Sequence, residues 1–241
     1  MSWRAPMTPP TEPQRLVLFD IDGTLIATGG AGRRAMRRTF ADLWGLAVDS
    51  EALERPGRTD WLVVQEVLGG ASVAGARDPE EFARFTSRYC EHLQQELTKP
   101  GSGRKGVLAG VAPLLASLAS CRLVTVALLT GNVGQAAELK LSYFDLWRHF
   151  AWGVFGDEAR ERDDLLPIAR ERYESRTGRS IAAEDIVVVG DTPHDVRCAR
   201  RWGARAVAVA TGAYDAAALR ACDADVVLDS LDIESAVLLR S

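Results

Sequence analysis

The sequence is poor in the residues that staple or metallate small proteins: 241 residues hold four cysteines and three histidines. Cys90, Cys121, Cys198 and Cys222 are scattered with no CxxC spacing. That argues against a zinc site and a disulfide framework, and it points to a reducing compartment. Net positive charge is missing too. A formal charge of -4 and a pI near 5.5 argue against a general polyanion binder, so nucleic acid is not expected as a partner. No run approaches membrane-spanning length, and residues 1–14, with Pro6, Pro9, Pro10 and Pro13 among polar neighbours, lack the apolar core of a signal peptide. They read as a disordered tail on a cytoplasmic protein with no membrane partner. What remains is ordinary for a globular protein, 47% hydrophobic and 26% charged, and long enough for a core domain plus an insert.

The most informative stretch is Leu16-Val17-Leu18-Phe19-Asp20-Ile21-Asp22-Gly23-Thr24-Leu25, an apolar run of strand length that ends on two acids and a glycine. If that strand lies in a parallel sheet, Asp20 and Asp22 stand at its exit, where open α/β folds bind ligands. The glycine-rich passage after it, through Gly29, Gly30 and Gly32, has the wrong spacing for a dinucleotide fingerprint and reads as a hinge.

From there to about Lys99 the period is helical. Met36, Phe40, Leu43 and Trp44 share one helix face; Leu62 to Leu68 belong to another helix, closed by Gly69-Gly70. A third starts at Asp78 as N-cap with Pro79 and Glu81 behind it, and buries Phe82, Phe85, Tyr89, Leu93 and Leu97. Pro100-Gly101-Ser102-Gly103 breaks it and reads as a second hinge, which makes residues 29–103 an all-helical insert. Arg33, Arg34, Arg37 and Arg38 read as a solvated helix face. Beyond Gly106, apolar runs at Leu123 to Leu129, Trp152 to Phe155, Ile186 to Val189, Ala206 to Ala210 and Val226 to Leu228 alternate with amphipathic stretches. That pattern predicts an α/β fold, a Rossmann-like doubly wound parallel sheet formed by residues 15–28 and 104–241, with an inserted helical cap domain.

Polar residues gather where these runs end. Thr130-Gly131-Asn132 stands between a strand and a helix, a place for an anion, although a plain helix cap fits as well. Asp191 ends another run, ahead of Thr192-Pro193-His194-Asp195. Carboxylates brought together from separate strands repel unless a cation lies between them, and hard oxygen ligands suit magnesium. His194 reads as a solvated loop histidine. Arg160 and Arg162 lie in an acidic loop from which either guanidinium could reach a phosphate.

Together, Asp20-x-Asp22-Gly23-Thr24, Thr130-Gly131-Asn132, Arg162 and Gly190-Asp191-x-x-x-Asp195 resemble the four motifs of the haloacid dehalogenase superfamily, in order and approximate spacing, over nearly the whole chain after residue 14. The cap between the first two motifs resembles the phosphoglycolate-phosphatase-like subgroup. One departure is Arg162-Asp163-Asp164-Leu165, where relatives often carry a lysine followed by proline; Arg162 is the preferred third-motif base and Arg160 the alternative. The resemblance implies a phosphatase acting on a small-molecule phosphate monoester, with Asp20 as nucleophile and Asp22 as acid and base. It implies phosphate binding by Thr130, Gly131, Asn132 and Arg162, and a Mg2+ cofactor held by Asp20, the Asp22 carbonyl and Asp191, with Asp195 orienting a water. Dehalogenases proper lack an acid at the position of Asp22. Arg58, within Gly57-Arg58-Thr59-Asp60, is the candidate for substrate contact, against a competing reading of that segment as a helix start capped by Thr59. The alternatives are a phosphomutase of the same fold acting on a sugar phosphate and, from another class, a non-catalytic interaction module. Monomer and homodimer both stay open.

Overall fold

A computed structural model describes residues 14–53 and 56–240, without the side chains of residues 50 and 51. The expected tail, residues 1–14, lies outside the described residues but for its last member. Strand β1 (Arg15–Phe19) sends Val17 and Phe19 into one apolar layer and Leu16 and Leu18 into another. A strand that is apolar on both faces has to be covered on both. After it come β2 (Ile26–Thr28), α1 (Ala31–Trp44), α2 (Ser50–Leu53), α3 (Asp60–Gly70), α4 (Pro79–Thr98) and β3 (Lys105–Val107). The chain then alternates: α5 (Val111–Ala119), β4 (Val124–Leu129), α6 (Gly134–Tyr143), β5 (Gly153–Val154), α7 (Leu165–Thr177), β6 (Ile186–Gly190), α8 (Pro193–Arg201), β7 (Arg205–Val209), α9 (Ala216–Ala221), β8 (Val226–Leu228) and α10 (Ser235–Arg240).

Six strands form one parallel sheet in the order β5-β4-β1-β6-β7-β8. Helices α5, α6 and α10 cover the face of Val17 and Phe19, and α7, α8 and α9 cover the other, which is the doubly wound arrangement expected. Strand β1 sits where the chain order turns, with β4 on one side and β6 on the other, so their three exits share one crevice.

Helices α1 to α4 form the inserted cap. Its core is Phe40, Val64, Leu68, Phe85, Tyr89 and Leu93, with the Phe40 and Phe85 rings 5.1 Å apart. The same apolar cluster continues into Val133 and Ala136 at the start of α6, so the cap packs on the core rather than only hanging from it.

Several local expectations needed revision. The two glycine-rich passages read as plain hinges, but β2 and β3 beside them pair antiparallel, Ile26 with Val107 and Thr28 with Lys105. Three residues are too few for an alternating pattern to register in the sequence. Gly69 and Gly70 are the last two residues of α3, and Ala71 is its C-cap. Asp78 holds the N-cap position of α4 without a side-chain cap bond; its carboxylate turns back over Gly75.

Arg34 and Arg38 are not simply solvated. They reach from α1 to the buried carboxylate of Glu96 on α4, at 2.7 and 2.9 Å, and Lys99 joins them. Burial alone would raise the Glu96 carboxyl, yet hydrogen bonds from Lys99, Arg34 and Arg38 outweigh it and hold the pKa down at about 2. A depressed carboxyl stabilises the fold above its unfolded value of 4.5, and that contribution is lost as pH falls toward 2. Glu96→Gln is expected to lower stability at pH 7 by about 2 kcal/mol in urea denaturation. The gap to the wild type should shrink as pH is lowered through that window.

Candidate active site

Asp20, Thr130 and Asp191 directly follow β1, β4 and β6, and the register aligns Phe19 with Leu128 on one side and Val189 on the other. The Asp20 amide continues the ladder by donating to the Val189 carbonyl at 2.9 Å. Carboxylate oxygens of Asp20, Asp191 and Asp195 lie within 4.8 Å of one another, and all three residues are buried. Glycine makes room for them. A Cβ at Gly212 would stand 1.6 Å from Asp191 Oδ2, and one at Gly190 would stand 2.0 Å from Asp195 Cγ.

This crowding has electrostatic consequences. Burial pushes the Asp20 carboxyl up to about 6; Arg162 pulls it down, while Asp195 and Asp22 add to the rise. Asp191 is driven well above the usual carboxylate range by burial and then by the charges of Asp20 and Asp195, with a 3.0 Å hydrogen bond from Thr24 Oγ1 acting against them. Arg162 Nη2 lies 3.1 Å from Asp20 Oδ1 and also pairs with Asp195 Oδ1. Burial disfavours its charge, but the two carboxylates outweigh burial and raise its pKa. The other Asp195 oxygen accepts from the Thr192 amide at 3.0 Å and its hydroxyl at 2.7 Å, in a capping box at the start of α8.

Three carboxylates facing one guanidinium are two positive charges short when ionised. Asp191 has no ion-pair partner among the described residues, and the donors are hard oxygens. The set therefore fits a divalent cation, which would find lone pairs on Asp20 and Asp191 more readily than on Asp195, whose two oxygens are engaged.

Asp22 sits in a different environment. The chain turns tightly after β1, with the amides of Leu25 and Ile26 donating to the Ile21 carbonyl at 2.9 and 3.1 Å, and leaves the Asp22 side chain 40% exposed. Its Oδ2 accepts from Asn132 Nδ2 at 2.9 Å and from Lys140 Nζ at 2.6 Å. Asn132 Nδ2 also donates to Thr130 Oγ1 at 2.8 Å. A helix start with free amides favours an anion, but protein carboxylates already take the amides at the head of α6. Asp60 Oδ2 accepts from Val133 at 3.0 Å and Asp157 Oδ1 from Gly134 at 2.9 Å. Thr130, Gly131 and Asn132 line a cavity of about 560 Å³ together with Asp20, Asp22 and Arg162.

The cap roofs this cavity with Met36, Leu53 and Arg58. Thr59 caps α3, accepting from the Leu62 amide at 3.2 Å, and its hydroxyl donates to the Arg160 carbonyl. The Asp60 amide donates to the Gly131 carbonyl at 2.7 Å, and Arg162 Nη1 donates to the Gly57 carbonyl at 3.3 Å. Arg58 lines the cavity while its guanidinium pairs with Glu66. Arg160 is exposed and bonds Gln65, so of the two arginines only Arg162 reaches Asp20. His194 is a half-buried residue in the first turn of α8 rather than a loop residue, and burial lowers its pKa.

Residues 164–233 match the HAD-hydrolase-like family. The protein named "Probable phosphatase IndB" from Dickeya dadantii is 27% identical over 216 residues, covering 89% of each chain. A phosphoglycolate phosphatase from Nitrosospira multiformis is 27% identical over 225 residues, covering 91% of this chain and 93% of its own. The crystal structure of CbbY from Rhodobacter sphaeroides in complex with phosphate superposes with a TM-score of 0.67 at 24% identity, covering 90% of this chain and 94% of that one. Over residues 164–233 the chain is similar to haloacid dehalogenase-like hydrolases.

The matched segment takes in Asp191 and Asp195, whereas Asp20 and the cap lie outside it. Lys140 belongs to none of the sequence motifs. Its one signal was a lysine within the buried stripe Ala136, Ala137, Lys140 and Leu141 of α6. Gly131 is required where the cap lands, because a Cβ there would meet the Arg58 carbonyl oxygen at 2.0 Å. Gly131→Ala is expected to undock segment 57–60. Amide hydrogen exchange at residues 60–63 should rise by about tenfold or more while β1, β4 and β6 keep their protection.

Proposed function

We propose that this chain is a magnesium-dependent phosphatase that hydrolyses a small-molecule phosphate monoester through a phosphoaspartate on Asp20, in the manner of phosphoglycolate phosphatases. The observation that carries this reading is the meeting, at three neighbouring strand exits, of a buried Asp20 with Arg162 beside it and a half-exposed Asp22. Two carboxyls in unlike environments suit two roles.

Thr130 Oγ1, Asn132 and Arg162 hold the phosphoryl oxygens, with Gly131 giving them room to approach. An Asp20 carboxylate oxygen attacks phosphorus, the bond to the ester oxygen breaks, and that oxygen takes the proton of Asp22 as the alcohol leaves. In the second half Asp22 accepts a proton from water as the water oxygen bonds to phosphorus. The bond to Asp20 then breaks, releasing inorganic phosphate, the Asp20 carboxylate and a protonated Asp22 ready for the next turnover. Asp20, Asp191 and the Asp22 carbonyl would hold the magnesium ion, with Asp195 beside it orienting a water. When bound, the ion neutralises charge gathered on the phosphoryl group. The cap closes over the cavity and keeps bulk water out until the phosphoryl group is in place. Four cysteines without disulfides suit a cytoplasmic location.

Phosphate release from a panel of esters, with and without Mg2+, tests this. Turnover should require the metal and fall about a thousandfold or more in Asp20→Asn. A mutant with undiminished turnover would remove Asp20 from the role. Steady inorganic phosphate release without a sugar bisphosphate intermediate separates the phosphatase from a mutase. Arg58→Ala is expected to raise KM about tenfold or more for an ester carrying a second anionic group while sparing a neutral ester, since one charge-assisted hydrogen bond is lost.

A further inference from the structure

Asp22 has to present one carboxyl to the leaving oxygen, yet it stands on a loop with its side chain 40% exposed. The strand alone does not orient it. Two side chains close a ring with its Oδ2: Asn132 Nδ2 donates at 2.9 Å, Lys140 Nζ donates at 2.6 Å, and the same ammonium also donates to Asn132 Oδ1. The ring is anchored to the β4 exit through the hydrogen bond from Asn132 to Thr130.

Lys140 is buried, with its side chain only 5% exposed, on the inner face of α6. A buried ammonium is costly unless it is paired and hydrogen-bonded, and the ordinary account would be a structural ion pair. Its placement argues for more than that. Lys140 lines the same cavity as Asp20 and Asp22, and both of its partners are residues of the proposed reaction. The cap seals it in. A Cβ at Gly32 of α1 would lie 3.6 Å from Lys140 Nζ, so α1 comes down beside the ammonium, and Tyr89 of α4 lines the same cavity.

We propose that Lys140 is the positioning residue for the acid–base step, holding Asp22 by Oδ2 so that Oδ1 carries the proton exchanged with the leaving oxygen. This rests on the phosphatase reading above. Lys140 acts through Asp22 and does not itself meet the substrate. Its ammonium also keeps the Asn132 amide turned so that the Nδ2 side faces Asp22 and Thr130. Losing it would free Asp22, while Asn132 stays tied to Thr130 through its 2.8 Å hydrogen bond and Asp20 and Arg162 are not touched.

The test compares kcat/KM for an alkyl phosphate, whose alkoxide must be protonated to leave, and for p-nitrophenyl phosphate, whose phenolate leaves without help. This constant reports only steps up to alcohol release, so it isolates the proton donation. Lys140→Met should lower it about a hundredfold for the alkyl ester and less than about threefold for the nitrophenyl ester. Lys140→Arg should restore part of the alkyl activity. The ratio of the two substrates within one sample does not depend on how much of the variant is folded. If Lys140→Met does not fold, Lys140→Arg carries the same comparison, because a longer fork displaces the carboxyl. Equal losses on both esters would overturn the positioning role. Asp22→Ala, run alongside, should shift the ratio in the same direction as Lys140→Met. A shift in Asp22→Ala with none in Lys140→Met sinks only the role of Lys140. No shift in Asp22→Ala, or a wild type that releases no phosphate from either ester, sinks the acid–base reading and this proposal with it.

Discussion

Three carboxylates confined within 4.8 Å of one another, away from water, repel too strongly to be charged together without a cationic partner. The architecture around them answers that constraint. The parallel sheet delivers Asp20 and Asp191 from separate strands, the capping box at α8 locks Asp195, and glycines at 23, 190 and 212 leave the volume the carboxylates occupy. Arg162 answers part of the charge from a short 3-10 turn, and the hard oxygen donors beside it fit a divalent cation. Burial, and after it the neighbouring carboxylates, raises the Asp20 and Asp191 carboxyls.

The cap participates in this arrangement through both apolar and polar contacts. Its aromatic core runs on into Val133 and Ala136 of α6, while segment 57–60 touches the loops after β4 and β6 and the arginine loop between them. Docking therefore joins substrate enclosure to the geometry of the proposed acid–base residue, because the helices that roof the cavity also bury Lys140.

Much of this was legible along the chain. The β1 run and the acids at its end, the apolar stripe of α4 and the alternation of strands and helices all follow from the periods of neighbouring residues, and the structure carries them at those positions. The β2–β3 ribbon was not legible, because strands of three residues hold no periodicity and pair only once the chain has folded back. Arg34 and Arg38 looked solvated since their partner, Glu96, is on another helix. The N-terminus of α6 read as open to an anion, whereas Asp60 arrives from the cap to occupy the Val133 amide.

By itself, then, the sequence determined the longer local elements, the fold class and which polar residues stand at strand exits, since each depends on residues close together along the chain. Tertiary structure alone decided which arginine faces Asp20, that the head of α6 is capped by carboxylates, and that Lys140 meets Asp22 across 118 residues of chain. Those outcomes depend on side chains from distant segments converging within hydrogen-bond range. No local pattern encodes such a distance, because loop lengths, the landing of the cap and the register of the sheet set it together.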